Sequence, residues 1–386
     1  MKQNIIILFL LLLISGSCVV QFLPEVENNK NYLVVEGLVT NQLNSYTIKI
    51  SRSSKLGSSK INTPVTGCLV YVKTSAGLQY LFKEKHPGIY QSDSLLFKGI
   101  QGEKYILHFT SGLHTYESIP MEMKPVPPID SLYAELENID SKTKGQSVPG
   151  YHVFVDTHDP ARKCNFYRWD FTETWEFRLP YFYETIINRV CWKTAFSSSI
   201  MVNNTSALTE DRVSKFPLNF VTTETDRLQV KYSILVRQLS LSQDEYNYWD
   251  KLKRITQDVG GLYDVVPMSV ESNINCIDKL DEKVLGYFSV SSVTTRRLFV
   301  KNVLRDFPNF YRTCPSDTVP VSQQIPNLNV FNFIIVRLND FPPTFGTFYV
   351  LTNKKECADC SLSGSKIMPA FWNDTKGVQE IQAVFK

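Results

Sequence analysis

The chain has 386 residues, 41 Lys plus Arg against 38 Asp plus Glu, and a formal net charge of +3; 43% of it is hydrophobic and 12% aromatic. That apolar content excludes a disordered chain, which lacks the buried surface to offset ordering entropy, and the near-balanced charge leaves no electrostatic footprint for nucleic-acid phosphates. At about 100–200 residues per domain, two or three domains with sizeable cores are expected.

Residues 1–17 read as a signal peptide. Lys2 supplies the positive start, Ile5 to Ile14 an uninterrupted apolar run, and Ser15-Gly16-Ser17 the small residues before cleavage. The run is too short to cross a hydrocarbon core of about 30 Å permanently. Cys18, directly after it, resembles the lipobox cysteine of bacterial lipoproteins, which takes a diacylglycerol on sulfur and becomes the new N-terminus. Residues 18–30, with Pro24 and Asn28-Asn29-Lys30, then read as a lipidated tether. No later stretch approaches 18 consecutive apolar residues, so the expected mature chain is anchored to a membrane rather than spanning it.

From Asn31 onward short β segments alternate with turns. They are Tyr32 to Val39, Ser45 to Ser51, Cys68 to Lys73, Gln79 to Lys83, Gly88 to Gln91, Lys104 to Phe109 and Thr115 to Met123. Their spacing predicts an immunoglobulin-like sandwich over 31–124. Pro125-Val-Pro-Pro-Ile129 lacks the amide donors of a central strand, and residues 125–130 read as a stiff linker. Residues 131–386 form a larger β-rich domain. Its predicted strands are Tyr151 to Asp156, Phe166 to Phe177, Gln229 to Leu241, Val284 to Ser291, Arg297 to Val300, Phe331 to Arg337 and Gly346 to Thr352. One amphipathic helix is expected near 242–259. Ser242 and Glu245 make a capping box, Tyr248, Leu252, Ile255 and Val259 a packing stripe, and Gly260-Gly261 a stop.

Seven cysteines follow Cys18: Cys68, Cys164, Cys191, Cys276, Cys314, Cys357 and Cys360. Export permits disulfides, and an odd count leaves at least one thiol without an intrachain partner. Cys357-Ala-Asp-Cys360 reads as structural disulfide chemistry. A zinc ribbon needs a second close pair, and a redox motif needs a βαβ setting. The spacing does not fix the connectivity.

Motifs for catalysis are absent: no G-x-S-x-G, H-E-x-x-H or G-x-x-x-x-G-K occurs. His152, Asp156 and His158 fall on one face of a predicted strand, a weak metal-ligand candidate against a solvated polar face. Tyr167, Trp169, Trp175 and Phe177 alternate, so a strand would line one side with rings. That side can stack on a ligand or partner, or close a core. Asp93-Ser-Leu95, Asp130-Ser-Leu132 and Asp317-Thr-Val319 resemble the O-glycosylation sequon of exported proteins in Bacteroidetes-type bacteria.

Taken in order, Tyr32-Leu-Val-Val-Glu-Gly37, Ile50-Ser-Arg-Ser53, Cys191-Trp192, Tyr232-Ser-Ile-Leu-Val-Arg-Gln238, Tyr246 to Lys253, Gly260 to Asp264, Val284-Leu-Gly-Tyr-Phe288 and Glu356-Cys-Ala-Asp-Cys360 with Pro369 and Phe371-Trp372 carry a resemblance. The chain resembles a family of Bacteroidetes outer-membrane lipoproteins known only as a domain of unknown function, whose genes commonly sit beside TonB-dependent receptors. The resemblance implies recurrent cysteines at Cys191, Cys357 and Cys360, which with Cys314 are the disulfide candidates, and no catalytic residues. The function expected is that of a lipid-anchored outer-membrane protein facing outward. It would act without catalysis or cofactor as accessory or ligand-capturing partner of a TonB-dependent outer-membrane receptor. The alternatives are a metal-dependent hydrolase at the cell surface and a purely structural envelope protein.

Overall fold

The computed structural model describes residues 31–54, 62–140, 147–179, 188–257, 270–301, 316–320, 334–338, 348–352, 354–357, 359–373 and 379–382. The signal peptide, the tether with Cys18, and Cys314 lie outside the described residues, as do Val259 and Gly260-Gly261. The described fold is mainly β, as expected, with one α-helix among the described residues.

The first strands are β1 (Leu33–Thr40), β2 (Thr47–Arg52), β3 (Thr63–Pro64), β4 (Leu69–Thr74), β5 (Gln79–His86), β6 (Ile89–Ser92), β7 (Lys104–Ser111), β8 (His114–Ser118) and β9 (Met121–Glu122). Next come β10 (Ile129–Asp140), β11 (Ser147–His158), β12 (Phe166–Arg178), β13 (Val190–Phe196), β14 (Met201–Asn204), β15 (Arg212–Thr222) and β16 (Lys231–Ser240). Helix α1 (Gln243–Thr256) precedes β17 (Ile274–Cys276), β18 (Val284–Ser291) and β19 (Val293–Lys301). The last strands are β20 (Ser316–Pro320), β21 (Ile334–Leu338), β22 (Phe348–Thr352) and β23 (Gln379–Gln382).

Period-two alternation builds the first sheet. Val70 and Val72 of β4 and Tyr105, Leu107 and Phe109 of β7 point inward and are fully buried, while their neighbours face out. Phe97 plugs the interior, stacked on Tyr80 at 4.1 Å and edge-on to Tyr46 at 5.2 Å. The strands hydrogen-bond in one path, β17-β8-β7-β4-β5-β6-β2-β1-β18. The ends of that path meet: Asn273, just before β17, donates to the Phe288 carbonyl of β18 at 2.8 Å and accepts from Phe288 N at 2.9 Å. A nearly closed sheet results. This pairing does not confirm the immunoglobulin-like detail, since a turn about every ten residues suits a curled single sheet as well as two flat ones.

The division of the chain also differs from its sequence reading. Strands β17 and β18, allotted by sequence to the second domain, complete the first sheet, with β18 parallel to β1 from Leu33↔Val284 to Thr40↔Ser291. Residues 125–130 are extended, but they are pinned rather than left as a spacer. Gln238 Nε2 donates to the Pro127 carbonyl at 2.9 Å, and Thr157 Oγ1 donates to that of Pro128 at 3.0 Å.

The second part is two packed sheets, β10-β11-β15 and β13-β12-β16-β19-β23, with β14 beside β12. Leu132, Val153 and Val155 from one and Trp169, Ile234 and Leu298 from the other share one core. Strands β20, β22 and β21 form a separate small sheet. Helix α1 starts where its capping box predicts, with Ser242 Oγ accepting from Glu245 N at 3.1 Å. Its stripe is only half-buried at Tyr248, Leu252 and Ile255, and Glu245 is the fully buried residue of the helix.

Candidate functional site

The four aromatic residues that could either stack on a ligand or partner or close a core are core. Along β12 the alternation is present, but the ring side faces inward: Tyr167 and Trp169 are fully buried, and Trp175 and Phe177 nearly so. Their polar tips are spent inside. Tyr167 Oη donates to Asp211 at 3.0 Å, Trp169 Nε1 to Gln238 at 2.9 Å and Trp175 Nε1 to Asp226 at 2.9 Å. Buried donors need such partners, so these rings have no free edge for a ligand.

His152, Asp156 and His158 do share β11, but each is taken by a separate neighbour. His152 Nδ1 lies 2.8 Å from Glu137, His158 Nδ1 lies 2.6 Å from Asp130, and Asp156 accepts from Lys215 N at 2.6 Å. This is the half-exposed polar face of a sheet, not a metal centre. Among the described residues, the group of three His, Cys, Asp or Glu with donor atoms within 4.8 Å of one another is His114, Cys276 and Glu282. Sequence reading missed it because closure of the first sheet, and not spacing, brings β17 to β8.

The other face of β12 carries the cleft. Arg168, Asp170 and Thr172 sit there half-buried, out of phase with the rings. Arg237 stands opposite Asp170 on β16 and clamps both its oxygens, at 2.6 and 2.7 Å. The β13–β14 loop is tied down where Ser197 N donates to the Phe171 carbonyl at 2.9 Å and Ser197 Oγ accepts from Phe171 N at 3.1 Å. From α1, Trp249 lies flat against Arg168, 3.9 Å from guanidinium carbon to ring centroid. Arg168, Asp170, Phe196, Ser198, Arg237 and Trp249 line a space of about 260 Å³.

Arg237 is engaged, whereas among the described residues the Arg168 guanidinium makes no hydrogen bond or ion pair. Burial pulls its pKa below the ordinary guanidinium value, against the pull of Asp170 and Glu245. Below the cleft, Glu245 accepts from Trp249 Nε1 at 3.4 Å. Burial pushes the Glu245 carboxyl up to about 7, offset by Ser289 and by the charge of Arg168. A planar fork held on an indole with its edge open suits a carboxylate, phosphate or sulfate. The signal was present in the sequence, since the alternation that marks the rings also places Arg168 and Asp170 together on the opposite side.

A family described as a domain of unknown function, DUF4249, matches residues 20–297. The chain belongs to the DUF4249 family. No curated protein matches it. Every residue named above as lining the cleft lies inside the DUF4249 match, as do His114, Cys276 and Glu282.

The DUF4249 match stops before the C-terminal segment that the disulfide holds. Cys191 of β13 is bonded to Cys360, across 169 residues. Cys357 is also disulfide-bonded, so the C-x-x-C pair is not closed on itself and its two cysteines serve separate bridges. Trp192 and Ser365 exchange backbone bonds of 2.8 Å in each direction, and Trp372 Nε1 reaches Glu176 at 3.3 Å. Cys68, Cys164 and Cys276 carry free thiols.

Proposed function

We propose that this DUF4249 protein is an outer-membrane lipoprotein, anchored through Cys18 and facing outward, that serves a TonB-dependent transporter as a non-catalytic ligand-capturing accessory. The observation that carries the binding half is Arg168, a cation stacked on Trp249 with its hydrogen-bonding edge unspent in a cleft. A space of about 260 Å³ suits an acidic end group rather than a whole large ligand. The lipobox-like Cys18, the short tether and the Cys191–Cys360 disulfide support an exported, anchored body. Tethering keeps such a body beside a membrane partner, so that a weak contact is raised by effective concentration.

The test is metabolic labelling with a fatty-acid probe followed by mild detergent purification at native expression, for the natural chain and Cys18→Ala. The natural chain is expected to carry the label and to co-purify with a TonB-dependent receptor, and Cys18→Ala to lose both. An unlabelled natural chain in the cytosol, or a labelled one with no receptor, overturns the reading; the latter favours a structural envelope role.

A further inference from the structure

We propose that His114, Cys276 and Glu282 form a mononuclear zinc-class metal site that staples the end of the first sheet. The three come from separate stretches that sheet closure gathers. Strand β17 pairs antiparallel with β8, with Cys276 directly opposite Tyr116. His114 is two residues from Tyr116 and so lies on the same face, a diagonal neighbour of Cys276. Glu282 arrives from the β17–β18 connection, where Glu282 N donates to the Lys279 carbonyl at 3.0 Å.

The donor atoms lie within 4.8 Å of one another. Tetrahedral zinc with bonds of about 2.0–2.3 Å holds its donors roughly 3.3–3.6 Å apart, a closure that side-chain rotation supplies. The burial points the same way. The Cys276 thiol is free and about 1% exposed, and His114 Nδ1 is buried with no hydrogen-bond partner. An orphaned imidazole nitrogen beside a thiol calls for an electrophile.

The surroundings supply an outer shell. Tyr116 Oη donates to Glu282 Oε1 at 2.9 Å, orienting the carboxylate. Thr115 N donates to Asp278 at 2.7 Å, and Ile277 N to the Thr115 carbonyl at 2.8 Å, holding the connection against β8. Sulfur, imidazole and carboxylate together suit zinc and not the all-oxygen preference of calcium or magnesium. Three protein donors leave a fourth position for water. Binding converts the thiol to a thiolate, its proton passing to solvent, so the affinity rises with pH. With β17 bound to β8 through the metal, ion binding adds directly to the stability of the closed sheet.

The experiment uses the mature chain, stripped with chelator and titrated with Co²⁺ as a spectroscopic probe, then challenged with Zn²⁺. Expected are one equivalent bound per chain, tetrahedral ligand-field bands with a thiolate-to-cobalt charge-transfer band, and displacement by Zn²⁺. Cys276→Ser loses the charge-transfer band. Glu282→Gln, which keeps an acceptor for Tyr116, weakens binding at least about tenfold, and Tyr116→Phe about tenfold. Absence of the thiolate band in the natural chain overturns the site, as does an unchanged band in Cys276→Ser or unchanged affinity in Glu282→Gln. The first readout needs no substitution, so a variant that fails to fold does not blunt the test.

Discussion

Ser240 and Ser292 are bonded to each other twice: Ser240 N donates to the Ser292 carbonyl at 3.1 Å, and Ser292 N donates to Ser240 Oγ at 3.2 Å. Ser292 is the one residue between β18 of the nearly closed sheet and β19 of the packed pair. Ser240 Oγ also donates to the Lys124 carbonyl at 2.7 Å, so three passes of the chain cross at one buried hydroxyl. Ser240→Ala leaves the buried Ser292 N–H and the part-buried Lys124 carbonyl without this partner and is expected to cost about 2 kcal/mol. The five Trp lie on β12, β13, α1 and the C-terminal segment and none on a strand of the nearly closed sheet, so tryptophan emission reports the chain outside that sheet and far-UV circular dichroism reports both parts. The two urea midpoints should fall together in Ser240→Ala; a shift in neither removes the crossing from the account of how the parts are held.

Gly286 presses on Val35 across the parallel β1–β18 pair. Its φ is +90°, and a Cβ there would overlap the Val35 carbonyl oxygen. Only glycine combines that backbone with that approach. Gly286→Ala is expected to cost about 2–4 kcal/mol through strain and displacement of β18. Urea denaturation read by circular dichroism checks it, and a loss under 1 kcal/mol would mean that β18 does not sit against β1.

Much of the fold was legible because alternation speaks directly of strands. Val284 to Ser291 and Phe166 to Phe177 lie where expected, and the Ser242 cap opens α1. What local pattern cannot carry is which strands pair. The motifs Tyr32 to Gly37 and Val284 to Phe288, far apart in sequence, turn out to be neighbours in one ladder. Strand β10 is too polar to read as a strand, and it forms through its pairing with β11. Strand β15 contains Pro217, which it tolerates at the edge of its sheet beside a register shift. The same limit governs the sites. Alternation located the rings of β12 but not the side on which the core lay, and the His114–Cys276–Glu282 group exists only after the sheet curls.

Glu245 gives stability a pH dependence of definite sign. Its carboxyl titrates at about 7 in the folded chain, above the ordinary 4.5, because burial disfavours its charge. Between those values the folded state holds a proton that the unfolded state has released. Its contribution is therefore complete below about 4.5 and is lost as pH rises toward 7, a span of roughly 3 kcal/mol. Glu245→Gln stays neutral throughout and should flatten the unfolding midpoint between pH 5 and 8 relative to the natural chain, raising it most at the alkaline end. Parallel pH profiles for the two chains would place the titration elsewhere.

Arg168 and Trp249 set a test of the cleft that separates charge from geometry. Arg168→Lys keeps the cation and loses the planar fork stacked on the indole, and Arg168→Gln loses both. With inorganic phosphate and succinate as probes, chemical shifts of the Trp249 indole are expected to saturate at millimolar concentration in the natural chain. Affinity should fall about tenfold in Arg168→Lys and further in Arg168→Gln. Equal affinities in all three chains would remove Arg168 as the anion contact and with it the support that the cleft lends to ligand capture.

The Cys191–Cys360 bond closes a long loop and fastens the C-terminal segment over β13. In the chain-entropy account a loop of this length contributes about 5 kcal/mol, with about 2–5 kcal/mol the usual loss on removal. In Cys191→Ser with Cys360→Ser the holds that remain include the separate Cys357 disulfide, the Asn188 bonds to Asp359 at 3.0 Å and to the backbone N of residue 360 at 3.1 Å, the Trp192–Ser365 bridge, the Trp372–Glu176 bond, and the Lys231 ammonium on the Trp372 carbonyl at 2.7 Å. These sit at the edge of the core, so the segment is expected to open before the sheets melt. Trp372, 3% exposed, would then enter water and shift the emission to longer wavelength. Limited proteolysis should cut within 359–373 in the variant at urea concentrations that leave the natural chain whole, while β12 and β16 stay protected. Simultaneous loss of both would instead make the bridge part of the global core.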